Sequence, residues 1–187
     1  MAGRLTVEQI VSADGYAAEP DGGISFMSAV DEPDPSDADQ MAFLDEVDAI
    51  LLGATTYRMF AEYWPKADPA VEPVAEPIAR IPKFVVSNTL QSAPWGTGEI
   101  EVLAGNPVAA VDGLKRRTES IVVWGSLTLT DALFRAGLVD ALRLRTVPVL
   151  IGAGRPFTPP DLGERRLHLD HSVAHPSGHV GTTYVVR

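Results

Sequence analysis

One pattern occurs twice in this chain and constrains its fold more than any other feature: a short apolar run closes on glycine and small hydroxyl residues, and an amphipathic helix pattern follows. The first copy is Ala49-Ile50-Leu51-Leu52-Gly53-Ala54-Thr55-Thr56-Tyr57 and the second is Ile121-Val122-Val123-Trp124-Gly125-Ser126-Leu127-Thr128-Leu129. An apolar run of about five residues bounded by a turn signal reads as a strand buried on both faces, the kind found in parallel α/β sheets. Where such a strand hands over to a helix, unpaired N–H groups and the positive end of the helix dipole face the crevice. Glycine lets a ligand approach the backbone there, and Thr or Ser hydroxyls donate to oxygen. Two such corners suit the two ends of a dinucleotide; each alone is equally an ordinary strand-to-helix turn.

Composition narrows the classes. The 187 residues are 45% hydrophobic, enough for one domain with a full core. The absence of Cys excludes thiol catalysis, Cys-ligated zinc and disulfides, and fits a reducing cytoplasm. No apolar run reaches ~18 residues, and the N-terminus enters a strand pattern directly, so neither a membrane span nor a signal peptide is expected. With 25 acidic and 15 basic residues the formal charge is −10, which disfavours nucleic acid and anionic membranes as partners.

Along the chain, strand and helix signals alternate, with no internal domain boundary. Residues 4–12 read as a strand and 13–35 as a long loop. Ser36 and Asp39 form a capping-box pattern opening a helix. After the strand 49–52, a helix from about Thr55 ends before Pro65, and the Pro-rich, acidic stretch 66–82 reads as a mobile surface segment with a turn or two of helix at most. Strands follow at 83–87 and 99–103. Asn106-Pro107 starts a helix running to about Thr118, with Asn as cap and Pro in the first turn. Beyond the strand 120–124, a helix from Thr128 carries a second capping-box pattern at Asp131 and closes at Gly137. Residues 141–151 read as a strand, 152–163 as a loop, and 166–173 with 180–186 as an antiparallel pair around Pro176-Ser177-Gly178.

Several motifs in one order carry a family resemblance: Ser12-Ala13-Asp14-Gly15-Tyr16, Leu51-Leu52-Gly53 with Thr56-Tyr57, Pro82-Lys83-Phe84-Val85-Val86-Ser87-Asn88-Thr89-Leu90, Trp124-Gly125-Ser126, Gly137-Leu138-Val139-Asp140, and Pro148-Val149-Leu150-Ile151-Gly152-Ala153-Gly154. Together with Leu5-Thr6-Val7 they resemble the dihydrofolate reductase superfamily, in particular stand-alone proteins similar to the C-terminal reductase domain of the riboflavin-biosynthesis deaminase/reductase. The resemblance implies an α/β, three-layer dihydrofolate reductase-like fold: a mostly parallel central sheet, helices on both faces and an antiparallel C-terminal strand pair. It also implies NADPH, with NADH possible, lying across the carboxyl ends of the parallel strands. The zinc deaminase half is missing, as the lack of Cys requires.

By this resemblance, Gly53, Ala54, Thr55 and Thr56 meet phosphate at one helix N-terminus, and Gly125, Ser126 and Leu127 meet the pyrophosphate at the other. Ser87 and Asn88 match positions that read the adenosine ribose and its 2′-phosphate. The chain departs from the family where basic residues are usual, after the first glycine and near Ser87, because Ala54 and Asn88 carry no charge. Arg58, Lys83 and Arg116 or Arg117 are the candidate substitutes. Read without the resemblance, Ser87-Asn88-Thr89 is an ordinary polar strand end. The resemblance further implies a cis peptide bond between Gly125 and Ser126, where the resembling reductases carry a Gly-Gly pair.

On the substrate side, Asp14 with Tyr16 stands just beyond a strand, where a carboxylate accepts hydrogen bonds from a heterocycle's N–H edge or a ribityl hydroxyl. The resemblance places this aspartate near the nicotinamide, as proton donor or binding group; the other reading is an Asp-Gly turn capping its own backbone. Asp37, sixteen residues before Gly53, has the spacing of the substrate carboxylate in folate reductases. Phe26, Phe60 and Trp64 are candidates to wall a flat ring, with a core role expected for at least one.

Histidines 168, 171, 175 and 179 alternate across a strand and a turn, a poor metal set, and read as surface or interface residues. The expected function is hydride transfer from NADPH to a small heterocyclic substrate of pteridine, pyrimidine or ribosylamino-pyrimidine type. Alternatives are a non-catalytic nucleotide- or small-molecule-binding dimer and a protein that sequesters a small molecule. A two-fold homodimer is expected through Val147, Val149, Leu167, Leu169, Val173, Val180, Val185 and Val186, which follow the last helix signal.

Overall fold

The structure, a computed structural model, describes residues 2–29 and 37–187. In chain order its elements are β1 (Arg4–Ser12), β2 (Tyr16–Ala18), α1 (Asp37–Leu44), β3 (Ala49–Gly53), α2 (Ala54–Tyr63), α3 (Ala75–Arg80), β4 (Lys83–Val86), β5 (Pro94–Trp95), β6 (Gly98–Glu99), β7 (Glu101–Leu103), α4 (Pro107–Lys115), β8 (Ser120–Val123), α5 (Leu127–Arg135), β9 (Ala141–Val147), β10 (Arg155–Pro156), β11 (Leu167–Ala174) and β12 (Val180–Val186). Short 3₁₀ turns occupy Ser25–Ser28 and Trp64–Lys66.

Eight strands make one sheet in the order β11-β12-β9-β1-β8-β3-β4-β7. The six from β9 to β7 are parallel, while β12 runs antiparallel to both β9 and β11. Alternation along the central strands sends side chains to two cores. Leu5, Val7, Leu51 and Val123 meet Val111 and Leu114 of α4 and Leu129 and Leu133 of α5 on one face. Ile50, Leu52, Val85 and Val122 meet Leu44 of α1, Tyr57 of α2 and Ile78 of α3 on the other. This is the three-layer, mostly parallel α/β fold with an antiparallel C-terminal pair.

Several local expectations are corrected. The stretch 66–82 is not a loose surface segment: Ala75, Pro77, Ile78 and Ile81 are buried. Each isoleucine gains roughly 1.5–3 kcal/mol on burial, which holds a Pro-rich segment on the core. The loop 13–35 contains β2, which pairs with β10 through contacts no local pattern announces. The helix after Asn106 stops at Lys115 rather than Thr118, and the strand from Ala141 stops at Val147, where Pro148 removes a ladder donor. Asp131 forms no capping box; α5 begins at Leu127 without a side-chain cap, and Asp131 pairs with Arg155 instead. Ser36, the cap expected for α1, lies outside the described residues. Of the residues expected to form a wet apolar face, Val147 is buried and Val186 packs against the first core, whereas Leu167, Leu169 and Val180 stay exposed.

Candidate functional site

Because β3 and β8 are neighbours, the two glycine corners form one site rather than two separate ones. The Gly53 N–H donates to the Gly125 carbonyl at 2.8 Å, and the Gly125–Ser126 peptide is cis. A Cβ on Gly53 would lie 2.7 Å from the Ser126 nitrogen and closer still to its hydroxyl. Gly125 has φ +84°, and a Cβ there would sit 2.9 Å from Thr56 Oγ1. The glycines are therefore required by each other's corner.

Of the helices that start elsewhere, α3 also lacks a side-chain cap, whereas α4 has one. At α4, the Asn106 side chain accepts from the Val108 and Ala109 N–H groups. Neither Gly53 at α2 nor Ser126 at α5 supplies a side-chain cap. Two uncapped helix N-termini, on opposite faces of the sheet, thus present unpaired N–H groups at adjacent strand ends, and this arrangement fits a diphosphate.

Ser87 and Asn88 end β4 beside this corner. The Ser87 hydroxyl accepts from the Thr89 and Leu90 N–H groups, and Asn88 Oδ1 accepts from the Gly105 N–H at 2.6 Å, tying the β4 end to the loop before α4. These bonds are those of a polar strand end.

Asp14 lies on the other side of the corner, past β1. Its two carboxylate oxygens accept from the Ile151 and Gly152 N–H groups at 3.2 and 2.7 Å. The Ser12 hydroxyl and then these N–H groups hold its carboxyl below the ordinary aspartate value. Its partner is the loop 148–154 rather than its own turn, and the β2–β10 pairing continues the clasp. Gly154 is required by this contact, since a Cβ there would collide with the Ala18 carbonyl.

On α2, Phe60 stacks edge-on with Trp64 at 6.0 Å and tilts against Trp124 at 5.9 Å. Phe26 is buried and is a core residue. Tyr16 is half-buried beside Gly154. Asp37 opens α1, and its side chain lies outside the described part.

A charged network went unnoticed in the sequence. Glu8 accepts from Gln40 Nε2 at 2.9 Å, from Trp124 Nε1, and from Arg143 Nε at 3.0 Å; Arg143 also donates to Asp39 at 2.5 Å. Glu8 and Arg143 are both buried. Charged residues among the apolar ones inside β1 and β9 were the available signal. Across the sheet, Gln9 Nε2 and Asp131 Oδ1 are buried without a hydrogen-bond partner. No metal-binding group of three or more His, Asp or Glu side chains occurs among the described residues, and none of their helices is long and apolar enough to cross a membrane.

Comparison with known proteins agrees with this layout. The chain is 27% identical over 157 residues to the uncharacterized protein YyaP of Bacillus subtilis (strain 168), covering 82% of this chain and 79% of that one. Its fold superposes on a protein from Shewanella sp. PV-4 named for riboflavin biosynthesis, with TM-score 0.79, 22% identity, and coverage of 100% and 99% of the two chains. It also superposes on dihydrofolate reductase from Enterococcus faecalis, solved with NADP(H), at TM-score 0.63, 14% identity, and coverage of 100% and 98%. The model of the RibD C-terminal domain matches residues 4–180, so nearly every element described above falls within it, and the chain belongs to the RibD C-terminal domain family.

Proposed function

We propose that the protein is a nicotinamide-nucleotide-dependent reductase acting on a C=N or C=O carbon of a small heterocyclic or sugar-linked molecule. One observation carries the reading: two helix N-termini without side-chain caps, joined by the Gly53–Gly125 hydrogen bond, in a chain of this family. Bound NADPH or NADH supplies the hydride. The backbone N–H groups at 54–56 and 126–127 hold the diphosphate, and Ser87 and Asn88 border the adenosine. Phe60, Trp64 and Trp124 wall the cleft on the substrate side and exclude bulk water, while the β2–β10 clasp, closed by Asp14, covers the nicotinamide end. Asp14 keeps its two acceptor bonds and its ionised form in this role, so the proton comes from water rather than from its carboxyl.

The exposed Leu167, Leu169 and Val180 support a homodimer through β11 and β12. Calorimetric titration with NADPH and NADH tests the site, and loss of reduced-nicotinamide absorbance with pyrimidine and pteridine substrates tests the reaction. Dinucleotide binding without turnover on any of them favours the binding-protein alternative. Absence of binding overturns both.

A further inference from the structure

Trp124 is the side chain immediately before the glycine corner, and what holds it is remote in the chain. Val7 of β1 pairs with Val123 of β8, so Glu8 and Trp124 are the next residues along two adjacent parallel strands and project to the same face of the sheet. On the other side of β1, Glu8 stands level with Arg143 of β9. The indole N–H is a donor only, and it is given to Glu8 Oε2, which also accepts from Gln40 Nε2 at 2.9 Å. The other carboxylate oxygen accepts from Arg143 Nε at 3.0 Å. Donors from three elements, β8, α1 and β9, therefore fix the carboxylate in one orientation.

Arg143 is held in turn. Its Nη2 donates to Asp39 Oδ2, and its guanidinium lies 4.6 Å from the centre of the Phe43 ring, both on α1. Glu8, Arg143 and Asp39 thus bring their charges together under α1, the first two of them buried. Burying ions costs several kcal/mol each, and well-packed apolar side chains of similar size commonly stabilise a core as well or better. Stability alone gives no reason for this cluster; the orientation of what it touches does.

The member of the network that reaches the corner is Trp124. Its backbone N–H donates to the Leu51 carbonyl of β3, its ring packs against Phe60 of α2, and it is only half-buried. Strand order decides which end of a bound dinucleotide it would face. β4, which leads into Ser87 and Asn88, lies on one side of β3, and β8 and β1 lie on the other. With the adenosine over β4 and the diphosphate at the corner, the nicotinamide falls on the Trp124 side.

We propose that Glu8 is a positioning residue of the candidate site: by taking the indole N–H inward, and being held itself by Arg143 and Gln40, it fixes Trp124 as the flat wall of the cleft where nicotinamide and substrate meet. This rests on the reading of the glycine corner as a dinucleotide site. Calorimetry on the full chain compares the tighter-binding of NADPH and NADH with the matching fragment that lacks only the nicotinamide, 2′-phospho-ADP-ribose or ADP-ribose. Glu8→Leu is expected to weaken the dinucleotide at least about threefold, the worth of one aromatic contact, while the fragment stays within about twofold. Glu8→Gln, whose amide oxygen still accepts the indole N–H, should retain most of the dinucleotide affinity. Trp124→Phe should give the same selective loss, and Glu8→Leu should add nothing further in that background. The Trp124 indole N–H resonance, assigned by its absence in Trp124→Phe, should exchange with solvent roughly several-fold faster in Glu8→Leu. Where Glu8→Leu alone does not fold, Glu8→Leu combined with Arg143→Leu, which strands no buried charge, repeats the measurement. Equal losses for dinucleotide and fragment overturn the proposal, as do additive losses in the Trp124→Phe background, unchanged affinity for both ligands, or unchanged indole exchange. Absence of binding by the unmodified protein is instead the failure of the site reading, and the indole exchange still tells whether Glu8 holds Trp124.

Discussion

Gly53 donates its backbone N–H to the carbonyl of Gly125 at 2.8 Å, and through that bond two corners distant in the chain become one surface. The contact leaves no room for a side chain on either partner.

Gly53→Ala is therefore expected to act through the fold before it acts on a ligand. The added methyl must push the Ser126 peptide away, a cost of about 1–3 kcal/mol by analogy with overpacked cores. Thermal unfolding should show a lower midpoint, and dinucleotide affinity should fall with it. Full stability combined with lost binding would mean instead that the glycine serves only the ligand.

Asp14 clasps a loop through its carboxylate, and its lowered pKa sets the sign of the pH effect. A folded-state pKa below the unfolded value of about 3.9 means that the clasp is fully present above that value and is lost as pH falls through the folded one. Amide exchange at Ile151 and Gly152 should accordingly accelerate only in acid in the native protein, and roughly several-fold at neutral pH in Asp14→Ala. A pH–rate limb near neutrality that vanishes in Asp14→Asn would restore this residue as the proton donor.

Glu8 and Arg143 form a buried pair; removing Arg143 leaves Glu8 without a cation, whereas removing Glu8 leaves Arg143 paired with Asp39. Arg143→Leu alone should cost about 3–5 kcal/mol in urea unfolding, Glu8→Leu less, and the double replacement clearly less than the sum. Additive losses would show that the two charges do not depend on each other.

Lys83 is held at a pKa of about 8 by burial. The folded value is below the unfolded one, so between about pH 8 and 10.4 the unfolded chain binds the extra proton and stability rises with pH. Relative to Lys83→Met, the native protein should gain up to about 3 kcal/mol across that window, at about 1.4 kcal/mol for each pH unit between the two values. A flat difference between the two proteins would place the ammonium in solvent.

The strand β11 is the sheet edge, and Leu167 and Leu169 are 44% and 51% exposed on it. Light scattering at micromolar concentration should give twice the 20.0 kDa of one chain, and Leu169→Glu should halve it. A mass of one chain at every concentration would exclude the dimer.

Local chemistry was enough to reveal the strand-to-helix corners, the Asn106-Pro107 helix start and the terminal hairpin. Each is written in neighbouring residues: an apolar run meeting glycine, a cap accepting N–H groups two and three residues on, a turn between alternating strands. The order of the strands is not written that way. The insertion of β8 between β1 and β3 makes the two corners adjacent, and only a packed sheet decides it. The same holds for Glu8 and Arg143, 135 positions apart, and for Asp14, which reads in the sequence as a substrate-side carboxylate or a self-capping turn and which in the fold holds the loop at Ile151 and Gly152. Residue types set what each group can bond to, and the tertiary fold sets which partners come within reach.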